Sequence, residues 1–206
     1  RRSWHGSWNR PPTPYSRVPA EGGKNVASMM GAMDMLFLLG ADEFDMGAIG
    51  DAFTVYIGTH GDAGAHRADV ILPGATYAEK SATYVNTEGR VQMTNRAGFA
   101  PGEAKEDWAI LRALSEVLGH KLPFDSLVAL RAKLYAEYPH LAAIDRIKEG
   151  VPADVLELSR QVGKLDKAPF TSPVKDFYLT NPIARASAVM AECSALARGE
   201  LKQAAE

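Results

Sequence analysis

One stretch, residues 68–92, constrains the fold more than any other part of the chain. It reads ADVILPGATYAEKSATYVNTEGRVQ. An apolar run at residues 70–72 stops at Pro73 and Gly74, and a second run at residues 83–85 stops at the polar segment 86–90. Short apolar runs that end in such turn residues are typical of strands. The stretch therefore predicts a strand, a bend, a second strand and a polar loop.

Two further apolar runs precede this stretch. Residues 35–39 form a buried-strand candidate that ends at Gly40, and residues 53–57 form another, while residues 24–33 permit a short helix. Together with residues 70–72, these runs predict a parallel or mixed sheet in an α/β domain, which we place at residues 21–105. Residues 1–20 are proline-rich, have no usable period and are predicted to be irregular.

The second half of the chain, residues 106–206, has the apolar spacing of helices. Asp107 and Asp125 are predicted N-caps of two helices, and Gly119 ends the first of them. Asn181 and Pro182 provide an N-cap with a proline at the first helical position of a final helix. The apolar faces of the four predicted helices are Trp108, Leu111, Leu114 and Leu118; Leu127, Leu130 and Leu134; Val155, Leu158, Val162 and Leu165; and Ile183, Ala186, Met190, Cys193 and Ala197.

Composition excludes several classes of function. The chain has 206 residues and a net charge of -2, and it has no basic stripe with interleaved aromatic residues, so we expect no nucleic-acid partner. No apolar run approaches the roughly 20 residues of a membrane-spanning helix, and no secretory peptide is visible, so we expect no direct membrane insertion. Cys193 is the only cysteine; we expect it to be structural, with no disulfide and no iron–sulfur cluster in this chain.

Two histidines, one within residues 58–64 and one just after them, raise the question of a metal site. His60, Asp62 and His66 have side chains that suit zinc or iron. The glycines among them favour a turning loop at the carboxyl edge of the sheet. Ligands of α/β proteins bind at that edge, so the loop could border a cleft without contacting a metal. We interpret the loop as surface.

Other candidate residues also have a simpler structural interpretation. Residues 22–25 resemble half of a phosphate loop but lack its spacing, and Asp42 and Glu43 follow a strand as a ribose-binding carboxylate does, although helix capping explains Asp42 more simply. Four charged residues flank apolar strands and are expected to form ion pairs among themselves: Glu79, Lys80, Glu88 and Arg90. The sequence assigns no catalytic, cofactor-binding or metal-binding residue.

Five segments besides residues 68–92 carry a family resemblance. They are residues 39–43, 58–64, 106–116, 175–178 and 181–190. Residues 68–92 resemble the signature stretch of the molybdopterin oxidoreductase superfamily. The whole set, from about residue 18 to residue 198, resembles one branch of it, the C-terminal part of the large peripheral-arm subunit of NADH-quinone oxidoreductase, or respiratory complex I.

This resemblance implies a structural, cofactor-free portion of an iron–sulfur subunit that supports electron transfer from NADH to quinone. In the family, cysteines of the N-terminal region bind the iron–sulfur clusters, and this sequence lacks them. The resemblance also implies contact with other peripheral-arm subunits, on the cytoplasmic side of a bacterial inner membrane or the matrix side of the mitochondrial one. The loop at residues 86–90 corresponds to a loop near the cofactor in catalytic relatives, and we assign no cofactor-binding site to it in this chain.

Two alternatives stay open on the sequence. The chain could be a fragment of a catalytic molybdopterin oxidoreductase such as a formate dehydrogenase. Such relatives continue into a β-rich domain, whereas residues 106–198 are predicted to be mainly helical. An independent small binding module is the other alternative, and it accounts for none of the motifs.

Overall fold

The structure is a computed structural model, and it describes residues 26–86, 88–146, 151–160, 163, 167–172 and 174–200. The irregular segment predicted at residues 1–20 lies outside these residues, as do the glycine-lysine segment 22–25 and the predicted helix positions Val162 and Leu165.

A three-stranded parallel sheet forms the centre of the first half, as the sequence predicts. Its strands are β1 (Met35–Leu39), β2 (Phe53–Gly58) and β3 (Val70–Pro73), in the order β1-β2-β3. Helix α1 (Val26–Met29) precedes β1 and falls within the predicted helical segment. A 3-10 helix, Met46–Ile49, connects β1 to β2, and helix α2 (Ala63–Arg67) connects β2 to β3.

One face of the sheet carries the core. Leu36 and Leu38 of β1 and Tyr56 of β2 are buried on this face, against Ile49 and Ala52 of the connection between the strands. Parallel pairing places Met35 beside Phe53 and Phe37 beside Val55 on the opposite face. On that opposite face Val55 and Ile57 of β2 are buried, whereas other apolar side chains are exposed, namely Met35, Phe37, Leu39, Phe53 and Val70.

The end of the signature stretch forms an antiparallel hairpin. Strand β4 (Thr83–Val85) matches the predicted second run, and it pairs with β5 (Val91–Met93), which sequence reasoning missed. Residues 91–93 contain a glutamine between two apolar residues, so they form no continuous apolar run, and they are too short for the alternation of a half-buried strand to show. In the connection, the Asn86 side-chain oxygen accepts hydrogen bonds from the N–H groups of Glu88 and Arg90, so the polar loop is a hairpin turn.

The second half is mainly helical in the residues that the structure describes, as predicted. Its helices are α3 (Asp107–Val117), α4 (Leu127–Glu137), α5 (Pro152–Ser159), α6 (Pro182–Arg185) and α7 (Ala188–Ala197), with a 3-10 helix at Pro139–Ala142. Among these described residues, no strand follows β5. None of the helices in the described part has both the length and the apolar character needed to span a bilayer. The domain boundaries at residues 20 and 105 stay predictions.

Both predicted acidic N-caps are wrong by one position. Glu106 is the N-cap of α3, so Asp107 is the first helical residue, and Ser126 caps α4 by accepting the N–H of Ala129 at 3.2 Å. Asp125 is ion-paired with Arg112, the one buried residue of α3. A buried guanidinium needs charged partners, and this need takes Asp125 away from the helix terminus.

The predicted final helix is two helices. Asn181 caps α6 and Pro182 is its first residue, as expected. The chain then leaves the helical path at Ser187, whose hydroxyl accepts the N–H of Met190 and begins α7. Serine side chains compete with backbone carbonyls for such donors and favour helix starts. The predicted single apolar face is therefore divided: Ile183 is exposed, whereas Cys193 is half-buried.

Candidate functional site at the carboxyl edge of the sheet

The carboxyl ends of all three parallel strands meet at one edge. Gly40, directly after β1, donates its N–H to the carbonyl of Ile57 at 2.7 Å, and Gly74, directly after β3, donates to the carbonyl of Gly58 at 2.8 Å. Gly40 has a φ of 60°, a left-handed conformation that glycine adopts at little cost. The chain can therefore turn sharply where ligands of α/β proteins usually bind.

Asp42 lies at this edge with its side chain completely buried. Its carboxylate accepts the N–H of Gly64, on α2, at 3.2 Å. The prediction that Asp42 caps a helix following it is wrong, because Asp45 caps the next helical segment. Asp42 instead reaches across the sheet edge to a helix that begins 21 positions further along the chain, at Ala63.

Arg185 of α6 neutralises Asp42. Its Nη2 lies 2.5 Å from an Asp42 carboxylate oxygen, and its Nε bonds to the carboxylate of Asp62. Asp62 is also the N-cap of α2, where it accepts the N–H of Ala63 at 2.8 Å. One guanidinium thus holds two carboxylates from two different loops, and the cluster Asp42–Asp62–Arg185 is an internal ion-pair network that closes the edge.

Burial and mutual hydrogen bonding both shift the pKa values of Asp62 and Arg185. Burial raises the pKa of Asp62, but the hydrogen bonds from Arg185 and the Ala63 N–H outweigh burial, so the pKa lies below its ordinary value. Burial lowers the pKa of Arg185, and the bonds to both carboxylates reverse that effect and raise it. Both partners are therefore held in their charged forms at neutral pH.

Tyr56 fills the space beneath the network. It is 1% exposed, and its pKa is raised by burial first and then by the negative charges of Asp42 and Asp62. A Cβ on Gly58 would lie 2.2 Å from the Tyr56 ring, and one on Gly64 would lie 2.6 Å from it. These two positions therefore require glycine because the tyrosine ring occupies the side-chain space.

The two histidines considered for a metal site are not brought together with other ligands. The ring of His60 bonds to the hydroxyl of Thr59, and that of His66 to the carbonyl of Asp62. No group of three or more potential ligands that could hold a metal ion occurs among the described residues. The interpretation of the loop as surface holds for Thr59 and His66, which are exposed, but not for Gly64, which is buried.

The four charged residues of the signature stretch do not pair among themselves as predicted. Lys80 pairs with Asp107 of α3 at 2.5 Å. Glu79 accepts the backbone N–H of Thr76, which lies three positions before it. Within the described ranges, Glu88 and Arg90 form no ion pair with each other, and the buried Arg90 Nε has no hydrogen-bond partner. The bond from Lys80 links the connection between β3 and β4 to the helical half instead of strengthening the hairpin.

Comparison with known proteins divides the chain into two matched regions. Residues 14–117 match the family model of the molybdopterin oxidoreductases. Residues 146–193 match the family model of the C-terminal region of the G subunit of NADH-ubiquinone oxidoreductase. Asp42 and Asp62 lie in the first region and Arg185 lies in the second, so the ion-pair network joins the two.

Curated proteins with similar sequences are named as subunits of NADH-ubiquinone oxidoreductase or as an iron-sulfur protein of NADH dehydrogenase [ubiquinone]. The NADH-ubiquinone oxidoreductase 75 kDa subunit of Reclinomonas americana is 48% identical over 162 residues, which are 78% of this chain and 23% of that protein. The 78 kDa subunit of Neurospora crassa is 47% identical over 168 residues, covering 78% and 22%. The NADH dehydrogenase [ubiquinone] iron-sulfur protein 1 of Solanum tuberosum is 44% identical over 164 residues, also covering 78% and 22%. The chain thus spans less than a quarter of these relatives.

Proposed function

Because this chain belongs to the molybdopterin oxidoreductase family, we propose that it is a structural, cofactor-free portion of the iron–sulfur subunit of NADH:quinone oxidoreductase. In this role it supports electron transfer from NADH to quinone in the assembled enzyme and catalyses no step itself. The relatives named above are all subunits or iron–sulfur proteins of NADH-ubiquinone oxidoreductase or dehydrogenase, which supports this proposal over a formate dehydrogenase fragment.

The observation that carries the proposal is the internal pairing of Arg185. A molybdopterin cofactor carries phosphate, and anion sites in proteins offer free cations or backbone N–H groups. The described loops after β1 and β2 instead present Asp42 and Asp62, and the Arg185 guanidinium between them is already bonded to both. These residues do not fit a pterin phosphate, so we derive no chemistry through that group.

The pairing of Arg185 with Asp42 and Asp62 also supports a structural role for the carboxyl edge of the sheet. Two acidic loops of the sheet and the C-terminal helix α6 are held together by one buried charge network. Such a network fixes loops in place and costs stability when one partner is removed, which suits a rigid support better than a ligand cleft. The helical region after residue 106 supports the same conclusion, because the catalytic alternative predicted a β-rich continuation.

The proposal extends to partners and location. We propose that the parent protein assembles with other peripheral-arm subunits of complex I and lies at the matrix or cytoplasmic side of the membrane. We place the iron–sulfur clusters of the enzyme in other parts of the parent protein, since this sequence has one cysteine.

A capture experiment from the source organism tests the proposal. An antibody raised against this chain is used to purify the parent assembly from detergent-solubilised membranes, and the assembly is assayed for NADH:quinone activity, formate oxidation and molybdenum. We expect NADH:quinone activity and no molybdenum. Stoichiometric molybdenum with formate oxidation would overturn the proposal in favour of the catalytic alternative.

A further inference from the structure

A second feature lies away from the sheet edge and has no part in the proposed function. It is a cleft of about 350 Å³ between strand β4 and helices α3 and α4. The wall from α4 carries Leu127, Leu130 and Leu134, and Trp108 of α3 lies at the other side. The cleft therefore combines an apolar wall with several polar and charged side chains.

Four of the polar groups in the cleft wall satisfy one another. Lys80 Nζ lies 2.5 Å from the carboxylate of Asp107, and the indole N–H of Trp108 donates to the carboxylate of Glu106 at 2.7 Å. These pairs use the acidic groups and the lysine, so none of them needs a ligand.

Arg131 and Thr83 are different. The Nε and Nη2 atoms of Arg131 and the hydroxyl oxygen of Thr83 are buried and have no hydrogen-bond partner in the part of the chain that the structure describes. Both residues line the same cleft, one from α4 and one from β4. A buried polar atom without a partner costs roughly 1–3 kcal/mol, so proteins rarely keep several in one place without a use for them.

The chemistry of these atoms specifies the ligand. Two neighbouring guanidinium N–H groups form the fork that bonds a carboxylate with two parallel hydrogen bonds, and a hydroxyl can add a third. The apolar wall suits a hydrocarbon stem. The carboxylates of Glu106 and Asp107 disfavour the second charge of a phosphate monoester.

We propose that this cleft binds a single carboxylate carried on a short apolar body, held by Arg131 and Thr83. Two sources share this chemistry: a free aliphatic acid, and a glutamate or aspartate side chain flanked by apolar residues in a polypeptide. The site needs no metal or cofactor, and the proposal stands or falls independently of the function proposed above.

Fluorescence of Trp108 tests the proposal on the full chain at submicromolar concentration. Replacing Trp4→Phe and Trp8→Phe leaves Trp108 as the only tryptophan. Hexanoate is titrated at constant ionic strength, with hexanol as the uncharged control and hexyl phosphate as the doubly charged one. N-acetyl-leucyl-glutamyl-leucinamide represents the polypeptide source.

We expect hexanoate or the peptide to bind saturably, and whichever binds more tightly identifies the source. Arg131→Gln should raise the Kd at least about tenfold and Thr83→Val by a few fold, because each removes a hydrogen bond to a charged group. Lys133→Gln, on the same helix but outside the cleft, should leave the Kd unchanged. Since Thr83→Val conserves shape, it remains informative if Arg131→Gln unfolds the chain.

Four results would overturn the proposal. Hexanol binding as tightly as hexanoate would reduce the cleft to an apolar groove, and tighter binding of hexyl phosphate would reject the preference for one charge. Absence of binding by both hexanoate and the peptide, or an unchanged Kd in both Arg131→Gln and Thr83→Val, would remove the site altogether.

Discussion

Arg185 bonds to Asp42 at 2.5 Å across 143 positions of the chain, and the Asp42 side chain is completely buried. The two residues belong to the two regions that match different family models, so this bond is where the helical extension meets the sheet. The same guanidinium also bonds to Asp62. The guanidinium of Arg185 thus pairs with two acidic residues at the carboxyl edge of the sheet, where ligands of α/β proteins usually bind.

Removing this cation should destabilise the chain strongly. Arg185→Gln leaves the buried Asp42 carboxylate without a charged partner, and we expect a loss of about 3 kcal/mol in the free energy of unfolding. Arg160→Gln is the matched control, because Arg160 is 67% exposed and its pair with Glu157 is worth about 1 kcal/mol or less. Urea unfolding followed by circular dichroism measures both, and equal losses would contradict a special role of Arg185.

The network should also make stability depend on acid pH. The folded pKa of Asp62 lies below its unfolded value, so its ionised form adds stability that is fully present above the unfolded pKa of about 3.9. That stability is lost as the pH falls through the folded pKa. Asp62→Asn keeps an N-cap residue but removes the titration. The difference between wild type and Asp62→Asn should therefore shrink below about pH 4, as measured by urea unfolding from pH 7 to pH 3.

A double-mutant comparison checks the cause of this pH dependence. In the Arg185→Gln background, the change in unfolding free energy caused by Asp62→Asn should depend much less on pH than it does in the wild type. The reason is that the hydrogen bond from Arg185, which lowers the pKa of Asp62, is absent in this background. An unchanged dependence in that background would assign the effect to the helix N-terminus at Ala63 instead.

The strands and most helices were predictable because their signals are local. The apolar runs at 35–39, 53–57 and 70–72 end at turn residues, and each is a strand in the structure. Asn181 and Pro182 mark a helix start through their own chemistry. Local patterns therefore determine where these elements lie, although they misplaced the N-caps of α3 and α4 by one residue.

The site was not predictable because its defining contacts are not local. Arg185 looks like an ordinary basic residue at the end of a short helix, and nothing near it in sequence indicates two acidic partners more than 120 positions away. Tyr56 likewise sits in an apolar run, and only the packed structure shows that Gly58 and Gly64 accommodate its ring. A buried charge requires a partner, but the sequence does not say which one.

The glycine that ends β2 should not tolerate a side chain. A Cβ on Gly58 would lie 2.2 Å from the buried Tyr56 ring, and we expect Gly58→Ala to lower the free energy of unfolding by about 1–3 kcal/mol through overpacking. Gly61→Ala, in the loop that follows β2, meets nothing within 4 Å and should change stability by less than about 0.5 kcal/mol. Thermal or urea unfolding measures both. If the ring is the cause, Tyr56→Leu should reduce the effect of Gly58→Ala.

The start of α4 should depend on Ser126 and not on the residue before it. Ser126 accepts the N–H of Ala129 at 3.2 Å, so Ser126→Ala should cost about 1 kcal/mol and reduce helical circular dichroism. Asp125→Asn removes the charge that faces Arg112 but leaves the cap in place, and its cost should fall with added salt because the carboxylate is 71% exposed. A salt-sensitive loss in Ser126→Ala would indicate that the cap is not the dominant interaction.

The exposed apolar side chains on the partly covered face of the sheet should make the isolated chain self-associate. Parallel sheets normally have both faces covered, yet Met35, Leu39 and Phe53 are 51%, 54% and 44% exposed on one face. We expect concentration-dependent association in sedimentation velocity, with binding of a hydrophobic dye, and we expect Leu39→Lys to weaken both. Phe170→Lys is the control, since Phe170 is fully exposed away from the strands and its replacement should not restore a monomer. A monodisperse wild-type chain that unfolds cooperatively would contradict this prediction. Association that Phe170→Lys relieves as much as Leu39→Lys would show that self-association depends on general surface hydrophobicity and not on the sheet.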